Sequence, residues 1–527
     1  MFKLDDKKIL IFFYGAVAIL SSLSFQSKPY ILVYLGFCFL LGWLYFKGSA
    51  KESGGDDGVN KKRFVLVVVS LSGLILAAKI IPFLLAKAPL GYDSGIYRGI
   101  IDFFSARLPY LPVSPGNWQM AEPWGLFLST NLLSLVGWST NQILYGYYIV
   151  LNLLLGAAVY VLVKEHFGRK AAICSLFLFA VSITQFRAFW MMYYKNILAL
   201  FLMLMAFYLL ERKSWLAVPI AGFLGAAHRP TFLIFGLAMA GYFLATVLKR
   251  GCSSKKKYIF ISGLGILTVA LSLYIYNPQA ILNFLSGDVE EMVQTFGPDS
   301  ATTGKFFFNF QFYRQMTTLY LPLAILGLIR LIQKRKFNPL FFCFIFSFII
   351  VYFNLIFHNR FIIPLDIMVV VLSGVALSVL AVKFWSTLSG KAAVIVFLLG
   401  VLYVFGICVK DMKPLISNAE LAEIESLSGI AKENDYVMAV TSYYSPWVYG
   451  FSGRKAITPR LFEYDKWSVL KWKTFWSTGN LELRHQLLDE YEKPLYVFIG
   501  DRAGRMDFSS DPAFIRISQR IWRYSGD

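Results

Sequence analysis

The chain has 527 residues, with 51 Lys and Arg against 31 Asp and Glu for a formal charge of +20. Hydrophobic residues make up 57%, aromatic residues 17% and charged residues only 16%, and the mean hydropathy is +0.58. Soluble domains carry roughly 25% charged residues, so this composition excludes a soluble globular protein, a disordered chain and a disulfide scaffold, and leaves a polytopic membrane protein. The excess of positive charge does not indicate nucleic acid as a partner, because the basic residues punctuate apolar runs instead of gathering on one face. Cys38, Cys174, Cys343 and Cys408 lie in apolar runs and Cys252 in a basic loop, with no pair at metal-ligand spacing.

About thirteen apolar runs approach the ~20 residues that cross a bilayer. They cover 8–26, 30–46, 64–86, 143–163, 171–186, 194–211, 214–227, 231–248, 258–276, 317–333, 338–357, 361–386 and 391–410. Backbone polar groups in lipid must bond within their own segment, so these runs predict helices. Pro219 is expected to kink the short seventh run. The first run lacks a small-residue cleavage site and reads as a retained span. Every second loop is basic (47–63, 164–170, 212–213, 249–257, 330–336 and 383–391). The positive-inside rule then places the N-terminus in the cytoplasm and the C-terminus outside.

Three segments are expected outside. Residues 87–142 form a long first loop whose stretch 122–137 reads as an interfacial or re-entrant helix. Residues 277–316 form a second loop, broken by Asn277-Pro278 and Gly297-Pro298-Asp299. Residues 411–527 have the charge density of a water-soluble domain, with helical patterns at 418–432 and 481–491 and strand-like runs at 436–441 and 495–499. The fold class is therefore an α-helical polytopic membrane protein (residues 1–410) with a small extracytoplasmic α/β domain (411–527).

The strongest local signal is Gly91-Tyr92-Asp93-Ser94-Gly95-Ile96-Tyr97-Arg98, at the exit of the third run. A carboxylate among glycines and aromatics at the external face suits a general base that takes the proton of an attacking hydroxyl. The plainer reading is an Asp that caps the following amphipathic stretch, 96–104. Glu122, just ahead of Pro123, is either a second acid that orients an acceptor or holds a divalent cation, or an ordinary helix start. Cations fall at span ends on the same side: Arg187, Lys195, the pair His228-Arg229, and His358 with Arg360. Four spans contributing cations to one face would suit a lipid phosphate, whereas snorkelling to headgroups is the bland alternative. The two histidines as metal ligands are a lesser reading. The run 442–454, dense in aromatics such as Tyr444 and Trp447, either stacks on sugar faces or forms the core of the small domain. No Walker, zinc or Gly-x-Ser-x-Gly motif is present, and Asp366, the clearest acid inside a run, has no proton-relay partners in series.

The pattern resembles the GT-C superfamily of integral-membrane glycosyltransferases, which includes protein O-mannosyltransferases, the aminoarabinose transferase of lipid A modification and arabinofuranosyltransferases. The residues that carry it are 91–98, 121–124, 193–196, 228–230 and 443–459. The resemblance implies a polyprenyl-phosphate-linked sugar donor, a glycan, lipid or protein acceptor, and transfer at the external face with inversion. It implies Asp93 as the base with Glu122 second, and Lys195, His228, Arg229 and Arg360 on the donor phosphate. Tyr97, Arg98, Tyr194, His358, Tyr444 and Trp447 would contact substrate. No second acidic pair for a metal is evident, which favours a metal-independent reaction with no cofactor. Two spans precede the acid-bearing loop that follows the first span in simpler members. Two other classes compete: a transporter or flippase for a lipid-linked glycan, and a transferase or ligase that uses pyrophosphate-linked oligosaccharides.

Overall fold

The structure, a computed structural model, describes residues 7–22, 28–46, 61–85, 91–106, 125–248, 263, 265–267, 310–334, 337–355, 358–385, 387–459, 464–502 and 506–526. Helices lie on every expected apolar run except 258–276, which falls almost wholly outside these residues. Among the described residues six helices are long and apolar enough to cross a membrane, or seven if a pair bent by 49° counts as one span. Others are shorter than the runs suggested, among them Ala217–Ala227, Leu321–Gln333 and Pro339–Tyr352.

Two expectations fail in instructive ways. Pro219 kinks nothing, because it sits in the first turn of Ala217–Ala227, where its missing N–H had no intrahelical acceptor. The run 171–186 is not one helix: Arg169–Ala180 ends, the chain bends, and Ile183–Trp190 starts anew with Ser182 Oγ accepting from the Gln185 N–H at 3.2 Å. At the centre of the bundle stands Ile362–Phe384, buried along nearly its whole length and packed against Leu321–Gln333 and Arg169–Ala180. The expected loop helix at 122–137 is present as Gly125–Leu135, and the amphipathic stretch after Asp93 as Ser94–Ser105, which buries Tyr97, Ile100, Ile101 and Phe104 on one face.

The tail has its own hydrophobic core, separate from that of the bundle. A five-stranded mixed sheet runs in the order β2 (Lys455–Ile457), β1 (Tyr436–Ala439), β3 (Leu495–Phe498), β5 (Ile521–Tyr524), β4 (Phe514–Arg516). β2 and β3 pair parallel to β1, with Met438 opposite Ile457 and Val497, while β3–β5 and β5–β4 are antiparallel. The helix Asn418–Ile430 opens with a capping box between Ser417 and Glu420. Three of these strands, β2, β4 and β5, and the helices Ser445–Phe451 and Val469–Ser477 were not foreseen.

The tail meets the acid-bearing loop backbone to backbone. The helix Ser445–Phe451 lies on Ser94–Ser105, and Gly95 and Gly450 face each other. A Cβ on Gly450 would stand 2.6 Å from the Gly95 Cα, so this crossing requires the absence of side chains on both. Tyr92 adds a hydrogen bond, its hydroxyl donating to the Ser442 carbonyl at 2.7 Å.

Candidate active site

Asp93 stands just before the helix Ser94–Ser105 with φ −78° and ψ −2°, and its side chain makes no capping hydrogen bond. Ser94 instead turns its hydroxyl back to the Gly91 carbonyl at 2.9 Å. The capping reading of Asp93 therefore fails, and the carboxylate stands in charge–dipole range of the hydroxyls of Tyr92, Tyr148 and Tyr193. Burial, with the Asp93 charge adding to it, holds the Tyr92 hydroxyl well above its ordinary pKa, so Tyr92 remains a donor to the tail. Gly91 presses against the Met191 backbone, which brings this loop beside the turn between Ile183–Trp190 and Tyr194–Glu211. Met192 makes that turn with φ +59°, a left-handed conformation that a non-glycine residue adopts at a cost.

The same turn gathers the cations. Tyr193 lies in electrostatic range of Asp93, Arg360 and Arg187. His228, 4% exposed, lies in range of Arg360, Lys195 and Arg229. Arg360 thus links two overlapping groups, one around Tyr193 and one around His228, that draw five cationic or imidazole side chains from four segments. Arg187 comes from the bent helix, Lys195 from Tyr194–Glu211, His228 and Arg229 from the junction of Ala217–Ala227 with Arg229–Leu248, and Arg360 from the 3₁₀ turn His358–Phe361. His228 Nδ1 is 2.8 Å from Thr231 Oγ1, which fixes its ring. The Arg187 guanidinium lies 4.1 Å from the centre of the Phe312 ring, and the Lys195 ammonium 5.9 Å from that of Tyr97. His358 is half-buried on the turn that carries Arg360. Among the described residues no group of three His, Cys, Asp or Glu side chains converges as a metal site.

Several expected substrate contacts are structural instead. Trp447 and Tyr444 are fully enclosed in the tail core, and the Tyr444 hydroxyl donates to Glu420 at 2.5 Å, so neither ring presents a face to a sugar. Tyr194 is fully enclosed, donating to the Ile143 carbonyl at 2.6 Å, and Tyr97 is 3% exposed. Arg98 lies across the Phe451 ring at 4.4 Å and 3.9 Å from Asp102, where it joins loop to tail. Glu122 lies outside the described residues. Sequence reasoning did not single out Tyr148, Gln185 or Lys79, all buried polar groups near the site; each looks like an ordinary interruption of an apolar run.

No protein-family model and no curated protein matches the sequence. Solved structures do match in three dimensions. An oligosaccharyltransferase from Archaeoglobus fulgidus, solved with zinc and sulfate, aligns with a TM-score of 0.56 over 82% of this chain and 68% of its own, at 14% identity. ArnT from Cupriavidus metallidurans aligns in the apo state with a TM-score of 0.54 over 88% of this chain and 97% of its own, at 13% identity. Its complex with undecaprenyl phosphate aligns at 0.53 over 89% and 98%, at 12% identity. The chain therefore shares its fold with these structures. The chain is a multi-pass helical membrane protein with a small mixed sheet in its C-terminal part.

Proposed function

We propose that the chain is a glycosyltransferase that moves a sugar from a polyprenyl-phosphate carrier to an acceptor hydroxyl at the external membrane face. The observation that supports this best is that Asp93, Arg187 and Arg360 lie in electrostatic range of Tyr193, and that Arg360, with Lys195 and Arg229, also lies in range of His228. A departing lipid phosphate gains negative charge as its bond to the anomeric carbon breaks, and preorganised cations stabilise that charge in a site of low dielectric. On the opposite side the acceptor oxygen forms its bond to the anomeric carbon while its proton passes to the Asp93 carboxylate. The carrier leaves as polyprenyl phosphate with the electron pair, and the anomeric configuration inverts. The reading places the N-terminus in the cytoplasm and the tail outside, and leaves Glu122 as an acceptor-side acid.

The test is transfer from a polyprenyl-phosphate sugar by Asp93→Asn in proteoliposomes. Loss of transfer with retained binding of undecaprenyl phosphate supports the assignment; turnover at the level of the parent chain refutes it. A transport reading calls for broken helices and polar residues near the bilayer midplane, and the bent pair at Ser182, beside the buried Asp366, is the feature that would serve it. Movement of the lipid-linked glycan with no covalent product in the same proteoliposomes would favour it.

A further inference from the structure

Several buried polar groups that the transfer chemistry leaves unused meet around Asp366. Asp366 is completely enclosed on the helix Ile362–Phe384. Its Oδ2 accepts from Ser182 Oγ at 2.8 Å and from Gln185 Nε2 at 2.8 Å. Its Oδ1 accepts from the Tyr320 hydroxyl at 3.0 Å. Gln185 Nε2 also donates to the Ile363 carbonyl at 3.2 Å, and the Gln185 carbonyl receives the Lys79 ammonium at 3.5 Å. Lys79, 4% exposed, is held between the Phe186 and Phe189 rings, 5.0 and 4.6 Å from their centres.

Each group in this cluster belongs to, or is next in the chain to, a segment that supplies part of the candidate site. Ser182 and Gln185 open the short helix that carries Arg187. Tyr320 begins Leu321–Gln333, just after the segment Phe310–Thr317 whose Phe312 ring underlies Arg187. Asp366 itself stands on the helix that continues the turn bearing Arg360, about 9 Å of helical rise away. Lys79 lies on Lys61–Leu85, the helix that leads to the Asp93 loop. An enclosed carboxylate costs free energy unless it is fully hydrogen-bonded, and here three donors from two other segments meet it. The bend at Ser182 is the geometry that lets both Ser182 and Gln185 reach one oxygen.

We propose that Asp366, which lies off the reacting groups, is a positioning residue that ties the bent helix and the Tyr320 segment to the Arg360 helix and so sets the spacing of the phosphate-binding cations. The proposal deepens the transfer reading and rests on it for the identity of the ligand. Asn at 366 can keep the pattern, its oxygen accepting from Ser182 and Gln185 and its amide donating to the Tyr320 oxygen. Ala cannot.

The full chain in nanodiscs decides the matter through two readouts, amide hydrogen exchange and affinity for undecaprenyl phosphate. Asp366→Ala is expected to raise exchange in both 183–195 and 358–362 and to weaken the lipid about tenfold or more, whereas Asp366→Asn stays within about threefold of the parent. A merely structural role would lower the melting temperature and leave the affinity of the folded protein unchanged, and that result overturns the proposal. So does unchanged exchange in both segments, whether or not the lipid binds. A parent chain that does not bind undecaprenyl phosphate refutes the transfer reading, and the exchange data then decide the role of Asp366 alone. Should Asp366→Ala not fold, Tyr320→Phe removes one bond and is expected to weaken the lipid about threefold; no change in affinity or exchange in that variant overturns the proposal equally.

Discussion

Gly95→Ala tests the seam between loop and tail, and its effect can be worked from the geometry. An added Cβ would overlap the Pro446 carbonyl and come within 2.9 Å of the Trp447 nitrogen. Comfortable contacts of this kind lie near 3.5–4.0 Å, so the two backbones must part by well over ~1 Å at the Pro446 carbonyl. No rotamer relieves the clash, since the opposing atoms are main chain. The expected loss is about 2–3 kcal/mol, at the upper end for overpacking. A shift of that size two residues from Asp93 predicts a fall in transfer on the order of a hundredfold. Gly99→Ala is the matched control: the atoms nearest its Cβ belong to the half-buried Tyr449 ring, a side chain and not main chain, so a loss under about 1 kcal/mol is expected. Thermal unfolding and transfer from a polyprenyl-phosphate sugar, measured on both variants in the same nanodiscs, give the comparison. Equal behaviour of the two variants would refute the claim that the backbone crossing holds Asp93 in place.

The tail supports three further expectations. Arg520 is nearly enclosed, donating to Glu423 Oε1 at 2.5 Å and to Asp501 at 2.7 and 3.2 Å; Arg520→Met should cost about 2–3 kcal/mol by chemical denaturation, less than a fully sealed pair because the Asp501 side chain is 55% exposed. Trp447→Ala leaves a large cavity under the Gly95–Gly450 crossing and should cost about 3–5 kcal/mol in the same assay. Lys493, 2.7 Å away, holds the Asp489 carboxyl below its ordinary value of 3.8, with the Tyr524 hydroxyl also donating to it. A carboxyl depressed in the folded state stabilises above its ordinary value and loses that contribution as the pH falls through the folded value. Tail stability should therefore decline below about pH 4, and Lys493→Met should flatten that part of the profile.

The helices were legible because lipid leaves an apolar segment one way to satisfy its backbone, and 194–211 was read to the residue. The break at Ser182 was hidden, since it depends on Asp366, far away along the chain. The segment 91–98 stood out through a carboxylate beside glycines, but its glycines serve contacts with Met191 and Pro446 that no local pattern announces. The cation residues were visible one by one at span ends; their meeting around Tyr193 and His228 is a property of the tertiary fold. Aromatic density at 442–454 could not tell a core from a sugar platform, because both use the same rings, and burial decided for Tyr444 and Trp447. Short strands such as Lys455–Ile457 have too few positions to show an alternating pattern at all.

The seam at Gly95 and Gly450 also constrains how this polypeptide can be divided. A soluble fragment cut after Lys413 would uncover a greasy strip along Tyr449 and Phe451 that Ile96, Gly99 and Arg98 cover in the whole molecule. Such a fragment would self-associate in dilute buffer unless that strip were recoated with hydrophilic side chains.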